Sequence, residues 1–274
     1  NTPRLDDRRI GYIGHYAASR RGAARKLLRH AVQRLAARGC QLAIAPVNGS
    51  TWRNYRFVID GGSRPAFFLE PQNPPEWVED LAAVGFTPRA TYRSAITDRL
   101  DDEVPRLHEI ERRLRDQGVT LRPLDPACMD DDLQRIHALA LTCFRQNFLF
   151  TAISESEFLA DYTKVIELVR PEHLRLAERD GTLIGFVFAV PDHAQARRGE
   201  AIDTLILKTV AVQPGRAWAG LGRVLIHEVN RMAARDGYRK VIHALMHESN
   251  ASLAYSRRIA SPLRRYAVFS RSLA

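Results

Sequence analysis

The sequence lacks several features that would place a protein in a specialised class. No apolar run approaches about 18 residues, so no segment is expected to span a membrane. No secretory signal is visible, and the three cysteines (Cys40, Cys128 and Cys143) are scattered and without the spacing of a metal site. We therefore expect a reducing, cytoplasmic location.

Motifs of four well-defined chemistries are also missing. No lysine closes a Gly-x4-Gly-Lys phosphate loop, and the third glycine of a dinucleotide fingerprint would fall on Leu225. Neither a Gly-x-Ser-x-Gly nucleophile elbow nor a Cys-x-x-Cys pair occurs. His243 and His247 have the spacing of a zinc pair, but that spacing binds zinc on a helix and these residues are predicted on a strand. No metal is therefore expected.

Lysine is scarce, whereas arginine brings the formal net charge of the 274 residues to +10. Such a balance is compatible with nucleic acid, an anionic surface or an anionic cofactor. A GC-rich genome would equally favour arginine and alanine codons. The basic residues form no contiguous block and are not interleaved with aromatics, so nucleic acid is the least favoured partner.

What the sequence does contain is a strand, a glycine loop and a helix in succession over 202–235. Residues 202–212 are apolar and β-branched, which predicts a strand, and apolar residues at 225, 229 and 232 predict an amphipathic helix. The loop between them has three glycines and two flanking arginines, Arg216 and Arg223. Unpaired amides at the start of a helix, together with those cations, suit a phosphate or diphosphate. The alternative is an ordinary turn whose glycines only redirect the chain.

This arrangement resembles motif A of the GNAT acyltransferase superfamily. A strand ending in Val-x-Val is followed by a loop ending in Gly-x-Gly and then by an amphipathic helix, with Ala217 where the family usually has Gln or Arg. The resemblance implies that acetyl-CoA is the co-substrate and that the loop amides hold its diphosphate. It assigns cofactor binding to Val210, Val212, Arg216, Ala217, Trp218, Ala219, Gly220, Leu221, Gly222, Arg223 and Asn250.

The resemblance also suggests catalytic residues. The family often has a tyrosine general acid on the helix after the fifth strand, and Tyr255 is the tyrosine on that helix here. It stands five residues after Asn250, although the family more often has seven; an aromatic packing role is the alternative. His247 and Glu248, at the end of the preceding strand, are the candidate bases. The amide of Val212 or a neighbour is the expected donor to the thioester oxygen.

The chain is long enough for two domains, and its two halves share the order strand, glycine loop, helix, strand. We predict an α/β fold with a mixed sheet, built from two GNAT-like domains in tandem. Residues 1–97 form an incomplete first domain, 98–118 a linker helix, and 119–274 a complete domain. The last has the order β-α-α-β-β-β-α-β-α-β, with a hairpin turn at Asp180-Gly181.

The leading functional hypothesis is an acetyl-CoA-dependent N-acyltransferase that transfers the acetyl group to an amine by direct attack. The alternative is a non-catalytic CoA-binding or regulatory protein on the same scaffold. The expected acceptor is a small-molecule or peptide amine, and the sequence identifies it no further. Membrane association is not expected.

Overall fold

A computed structural model describes residues 3–102, 104–166 and 168–273. Asn1 and Ala274, the outer limits of the two predicted domains, lie outside these ranges. The strands are β1 (Arg4–Leu5), β2 (Arg8–Tyr12), β3 (Leu42–Ala45), β4 (Phe57–Asp60), β5 (Thr87–Thr97), β6 (Thr120–Pro123), β7 (Leu174–Arg179), β8 (Thr182–Pro191), β9 (Thr204–Val212), β10 (Lys240–His247) and β11 (Ser261–Ser272). The α-helices are α1 (Arg21–Ala37), α2 (Pro75–Ala83), α3 (Pro105–Asp116), α4 (Met129–Phe144), α5 (Glu155–Ile166), α6 (His193–Arg197), α7 (Leu221–Arg235) and α8 (Ala251–Ile259).

These elements form two compact units that do not follow the order of the chain. Unit 1 comprises residues 1–93, 148–151 and 263–274, and unit 2 comprises 94–147 and 152–262. The final strand β11 follows α8 in sequence, yet its residues Phe269–Ser272 pair with β3 in unit 1. The units are defined by contacts and the predicted domains by sequence pattern, so the boundaries at 97 and 119 remain a prediction.

Unit 1 has a mixed sheet around which α1 and α2 pack. β2 runs parallel to β3, whereas β11 is antiparallel to both β3 and β4. Helix α1 buries Ala24, Leu28 and Val32 at i, i+4 and i+8, the spacing that one face of a helix presents. That face packs against Phe57 and Leu81 in the core of the unit.

Unit 2 contains a sheet in the order β6-β7-β8-β9-β10. All its pairs are antiparallel except β9 with β10, which is parallel. The predicted hairpin at Asp180-Gly181 is confirmed: both residues have positive φ, and Arg179 pairs with Thr182. The segment after β8 begins with α6, whose first turn is capped by Asp192 through the amide of Ala194.

The core beneath this sheet brings α3, α7 and α8 together. Leu107 and Leu114 of α3 are 3% and 2% exposed and share a hydrophobic cluster with Leu225 of α7, Leu205 of β9 and Tyr255 of α8. The predicted linker helix is therefore an integral part of unit 2. No helix within the described ranges is both long and apolar enough to cross a bilayer.

Candidate active site

The parallel strands β9 and β10 are paired over only half of their length. Their ladder runs from Lys240–Thr204 to His243–Leu207, although β9 continues to Val212 and β10 to His247. Over the same stretch β9 stays paired with β8, and a register shift at Phe188/Ala189 leaves Lys208 as the extra residue of a bulge. A bulge bends its strand, and here it coincides with the point where the β9–β10 ladder ends. We call the part of β9 from 209 to 212 that faces away from β8 the open edge.

Backbone amides of the predicted residues Val210 and Val212 lie along the open edge. The amide of Gln213 donates to Ile184 O of β8 at 2.8 Å. Because amide direction alternates along a strand, the amides of Thr209 and Ala211 also face β8, and those of Val210 and Val212 face the other way. These two donors are therefore placed where a ligand carbonyl could lie beside β9.

The glycine loop after β9 supplies a second group of donors. A short 3-10 turn, Arg216–Trp218, leads to Gly220, which has a left-handed backbone (φ 90°) and starts α7. The amides of Gly220, Leu221 and Gly222 donate to no acceptor within the described ranges. In contrast, the amide of Ala219 is bonded to Arg216 O, and those of Arg223 and Val224 are bonded to Gly220 O. Of the predicted loop donors, those at 220–222 remain available for an anion.

The charge around this loop favours an anion as well. Arg216 and Arg223 are exposed, and neither forms an ion pair with a carboxylate of the described chain. No acidic residue lies in the first turn of α7. Helix dipole, free amides and two unneutralised guanidinium groups thus all act in the same direction.

Helix α3 packs against the glycine loop, a contact that the sequence did not predict. Arg113 donates a hydrogen bond to the carbonyl of Ala219, and a side-chain carbon added at Gly220 would lie 2.8 Å from Ile110 Cγ2. Trp218 is half-buried, with the Arg179 guanidinium 5.8 Å from its ring centre. The helical periodicity of α3 was visible in the sequence, but its contact with a loop about a hundred residues later was not.

The predicted loop residues differ in how their side chains pack. The side chain of Leu221 is fully buried in the core, so this residue can contribute only its backbone amide to a binding site. A side-chain carbon added at Gly222 would lie 3.8 Å from Val212 and 4.0 Å from Val210, at ordinary contact distance. Gly222 therefore adjoins the side chains of the two residues whose amides line the open edge. Ala217 is exposed, as its place in the turn requires.

Tyr255 lies close to the first turn of α7. The Arg223 guanidinium is 5.9 Å from its ring centre, and the ring is 9% exposed within the core cluster of unit 2. Burial raises the pKa of its hydroxyl, opposed by Arg223, and that hydroxyl has no hydrogen-bond partner in the described structure. Asn250 precedes α8 and is exposed; its side chain does not cap the helix.

The two candidate bases follow one another at the end of β10. Nδ1 of His247 accepts the amide of Ser249 at 3.1 Å and lies 2.7 Å from the hydroxyl of the same residue. A neutral ring that accepts at Nδ1 carries its proton on Nε2, so neither nitrogen is free to take another proton. Glu248 is exposed beside it, at the end of β10. The engagement of Nδ1 counts against His247 as a base, which leaves Glu248 as the remaining candidate.

Two further groups near the end of the ladder were not recognised as site residues. His243, in the last β9–β10 pair, is buried and lies 2.8 Å from Ser256 Oγ through Nδ1; burial lowers its pKa to about 4. The thiol of Cys143 donates to Val212 O at 3.2 Å, and burial raises its pKa to about 11. In the sequence His243 stands out only as half of a His-x-x-x-His pair, and Cys143 lies near no recognisable motif. Within the described residues no group of three metal-binding side chains comes together.

The corresponding strands of unit 1 remain joined where those of unit 2 separate. Beyond the last pair, Tyr12–Ile44, the amide of Ile13 donates to Ile44 O, and that of Val47 donates to Ile13 O at 3.0 Å. A side-chain carbon added at Gly14 would lie 2.1 Å from Val47 O. Only residues 13–20 separate β2 from α1, whereas 213–220 and the unpaired half of β9 precede α7. Unit 1 therefore has no open edge.

Comparison with known proteins agrees with this geometry. Residues 133–258 match the Acetyltransferase (GNAT) family. A GCN5-related N-acetyltransferase from Sphaerobacter thermophilus is similar in structure, with a TM-score of 0.56 and 16% identity over 92% of this chain and 68% of that one. A tandem GNAT protein from the clavulanic acid biosynthesis pathway has a TM-score of 0.50 and 14% identity over 95% of this chain and 73% of that one.

A third similar structure is part of a larger enzyme. It is the GCN5-related glucosamine N-acetyltransferase region of a fungal multi-domain GH3 β-N-acetylglucosaminidase, with a TM-score of 0.57 and 16% identity over 97% of this chain and 30% of that one. The comparison with curated protein sequences gives no match. Residues 133–258, a little under half of the chain, thus carry the match to the GNAT family, and over nearly its whole length the chain has the mixed α/β fold of tandem GNAT proteins.

Proposed function

We propose that this protein is an acetyl-CoA-dependent N-acyltransferase with one cofactor site, in the predicted domain 119–274. The observation that carries the proposal is the early end of the β9–β10 ladder at His243–Leu207, directly before a loop with free amides at 220–222. An extended thioester has donors along the open edge, and its diphosphate has donors and cations at the start of α7. In unit 1 the corresponding strands stay joined, so the open edge is missing there.

Acetyl-CoA would supply the activated acetyl group, and the chain's own residues would arrange the transfer. The amide of Val212 or Val210 is positioned to donate to a carbonyl oxygen on which charge develops. An amine with a pKa of about 10.4 is neutral in roughly one molecule in 2,500 at pH 7, so removing its proton matters. We assign that step to Glu248, and we assign to Tyr255 Oη the proton held for the departing sulfur.

The cofactor site can be tested by thermal unfolding with Gly222→Asp and its matched control Gly222→Ala. At 100 times Kd a ligand stabilises the folded state by about 2.7 kcal/mol, which raises Tm by several degrees in a chain of this size. An aspartate near the start of a helix suits the dipole but places a carboxylate beside the amides. We expect it to leave the Tm of the free protein unchanged and to abolish the shift with acetyl-CoA.

The alanine control should keep most of that shift, because the added carbon makes only ordinary contacts. Gly220 is unsuitable for this test, since its backbone is left-handed and Ile110 occupies the space beside it. If saturating acetyl-CoA does not change the Tm of the wild-type protein, the proposed site is wrong.

Thiol release over a panel of small-molecule and peptide amines then tests catalysis. Acetyl-CoA binding without release for any amine would favour the non-catalytic alternative. If an amine supports thiol release, Glu248→Gln should lower kcat/KM and abolish the part of its pH dependence that comes from a general base. His247→Gln should leave that pH dependence in place. The opposite result would assign the role of general base to His247.

A further inference from the structure

The basic excess of this protein is confined to one stretch of unit 1. Residues 8–59 contain 11 of the 41 lysines and arginines and none of the 31 aspartates and glutamates. The rest of the chain carries 30 basic and 31 acidic residues, so it is nearly neutral. A GC-rich genome would enrich arginine throughout the chain and would not remove the acidic residues from one segment. At the average frequency of the chain, about six would be expected there.

Helix α1 concentrates this charge on its exposed side. Lys26, Arg29, His30, Gln33 and Arg34 occupy positions i, i+3, i+4, i+7 and i+8, so they share one face, and all are exposed. The opposite face is the buried one that packs on the unit 1 core. We call the exposed set the basic face.

The cations of the basic face are not neutralised within the described protein. Arg21 pairs with Glu79 and Arg25 with Asp80 at the side of α1, facing α2. Lys26, Arg29 and Arg34 form no ion pair with a described carboxylate, and the same holds for Arg20 and Arg38 at the two ends of the helix. Five cations therefore lie along one helix without an ion-pair partner among the described carboxylates.

Contrary to the expectation from the sequence, we propose that the basic face binds the phosphate backbone of a nucleic-acid duplex without reading its bases. Arginine, lysine, glutamine and histidine are all donors to phosphate oxygens. An α-helix with its side chains is about 10–12 Å across, and the major groove of B-DNA is about 12 Å wide. From Lys26 to Arg38 the helix rises roughly 18 Å, along which a duplex presents many phosphates.

Other anionic partners fit this face less well. An interfacial membrane helix inserts an apolar face, but that of α1 is used in the core, and Leu27 is the one large apolar side chain exposed on the described part of the helix. Protein interfaces depend on aromatic or aliphatic anchors, and α1 has no aromatic residue. Proteins that bind single-stranded nucleic acid stack its bases on aromatic side chains, which α1 also lacks.

The test is fluorescence anisotropy with a labelled 24-bp DNA duplex and the same duplex in RNA, at several salt concentrations. The variant Lys26→Gln/Arg29→Gln/Arg34→Gln should bind at least tenfold more weakly at low salt and should reduce the salt slope by about three for DNA. The matched control is Arg106→Gln/Arg112→Gln/Arg115→Gln on α3, because these arginines are also exposed and form no ion pair with a described carboxylate. It should stay within about threefold of the wild type, and unfolding curves should show both variants folded.

Binding to either duplex that depends on the basic face supports the proposal. Equal losses in the two triple variants would show only a generic attraction to a basic protein and would overturn it. So would a wild-type Kd above about 100 μM at low salt, which is weaker than ordinary non-specific binding. Anionic lipid vesicles and polyglutamate are the comparison probes. If either binds through Lys26, Arg29 and Arg34 more tightly than the duplexes do, the partner is not nucleic acid.

Discussion

Tyr255 combines a buried hydroxyl without an acceptor and a place beside the start of α7. Leaving a buried polar group unpaired typically costs about 1–3 kcal/mol, so removing the hydroxyl should not destabilise the fold. We expect Tyr255→Phe to be at least as stable as the wild type. If the hydroxyl holds the proton for the departing sulfur, kcat should fall roughly 10²-fold while KM for acetyl-CoA changes little.

Steady-state kinetics over a pH series, with chemical denaturation of the same samples, checks this prediction. A purely packing role would leave kcat unchanged. A loss of both kcat and stability would instead assign to the hydroxyl a structural partner. Because burial raises the pKa of Tyr255, the hydroxyl should stay protonated throughout the neutral range.

At the residue scale, the sequence predicted the region of the candidate site but not which of its polar atoms are already hydrogen-bonded. The glycine loop predicted free amides over 216–223, and those at 220–222 are free, whereas Ala219, Arg223 and Val224 are bonded within the turn. The engagement of His247 Nδ1 by Ser249 depends on the backbone at the end of β10. Such details follow from local geometry, which residue types alone do not determine.

Helix α3 lies against the glycine loop of the candidate site. Its amphipathic spacing predicted a helix, but its role was expected to be that of a linker. In the structure Ile110 and Arg113 contact the glycine loop, and Glu111 pairs with Arg231 of α7 at 3.1 Å. An element with no counterpart in the predicted β-α-α-β-β-β-α-β-α-β order therefore fixes the position of the loop.

We expect Arg113→Gln to weaken acetyl-CoA binding because the carbonyl of Ala219 would lose its guanidinium partner and the turn would become less ordered. A hydrogen bond to a charged group contributes about 1.5–3 kcal/mol, so Kd should rise roughly tenfold or more. Calorimetric titration with acetyl-CoA measures this. Arg112→Gln, an exposed neighbour, should leave Kd unchanged. Equal Kd values for the two variants would show that Arg113 does not position the loop.

Helices and turns were predictable from the sequence where residues close together in the chain determine them. The hairpin at Asp180-Gly181 follows from its turn residues, and α7 follows from its apolar spacing. Strand pairing is different, because it depends on residues far apart in the chain. Nothing local to β11 indicated that it pairs with β3 and β4 of unit 1. Similarly, the β9–β10 ladder ends beside a bulge at Lys208, which no residue type in the sequence predicts.

On the scale of the whole molecule, buried histidines make stability depend on pH. His173, His227 and His243 each have a pKa lowered chiefly by burial, to about 4 for His243. They are neutral when folded but take up protons near pH 6.5 when unfolded. The stability that this provides is complete above pH 6.5 and is lost as pH falls toward the folded pKa. Each group can contribute a slope of up to about 1.4 kcal/mol per pH unit.

We therefore expect the free energy of unfolding, from urea titrations, to fall steadily from pH 7.5 to pH 5. His243→Asn should be less stable at pH 7.5, since it loses ring packing, but its stability should fall less steeply below pH 6.5 because one buried titration is removed. The exposed His30→Asn is the matched control and should keep the wild-type slope. Measurements stay above pH 5 because carboxylates titrate below it. An unchanged slope in His243→Asn would mean that His243 does not govern the acid sensitivity of unit 2.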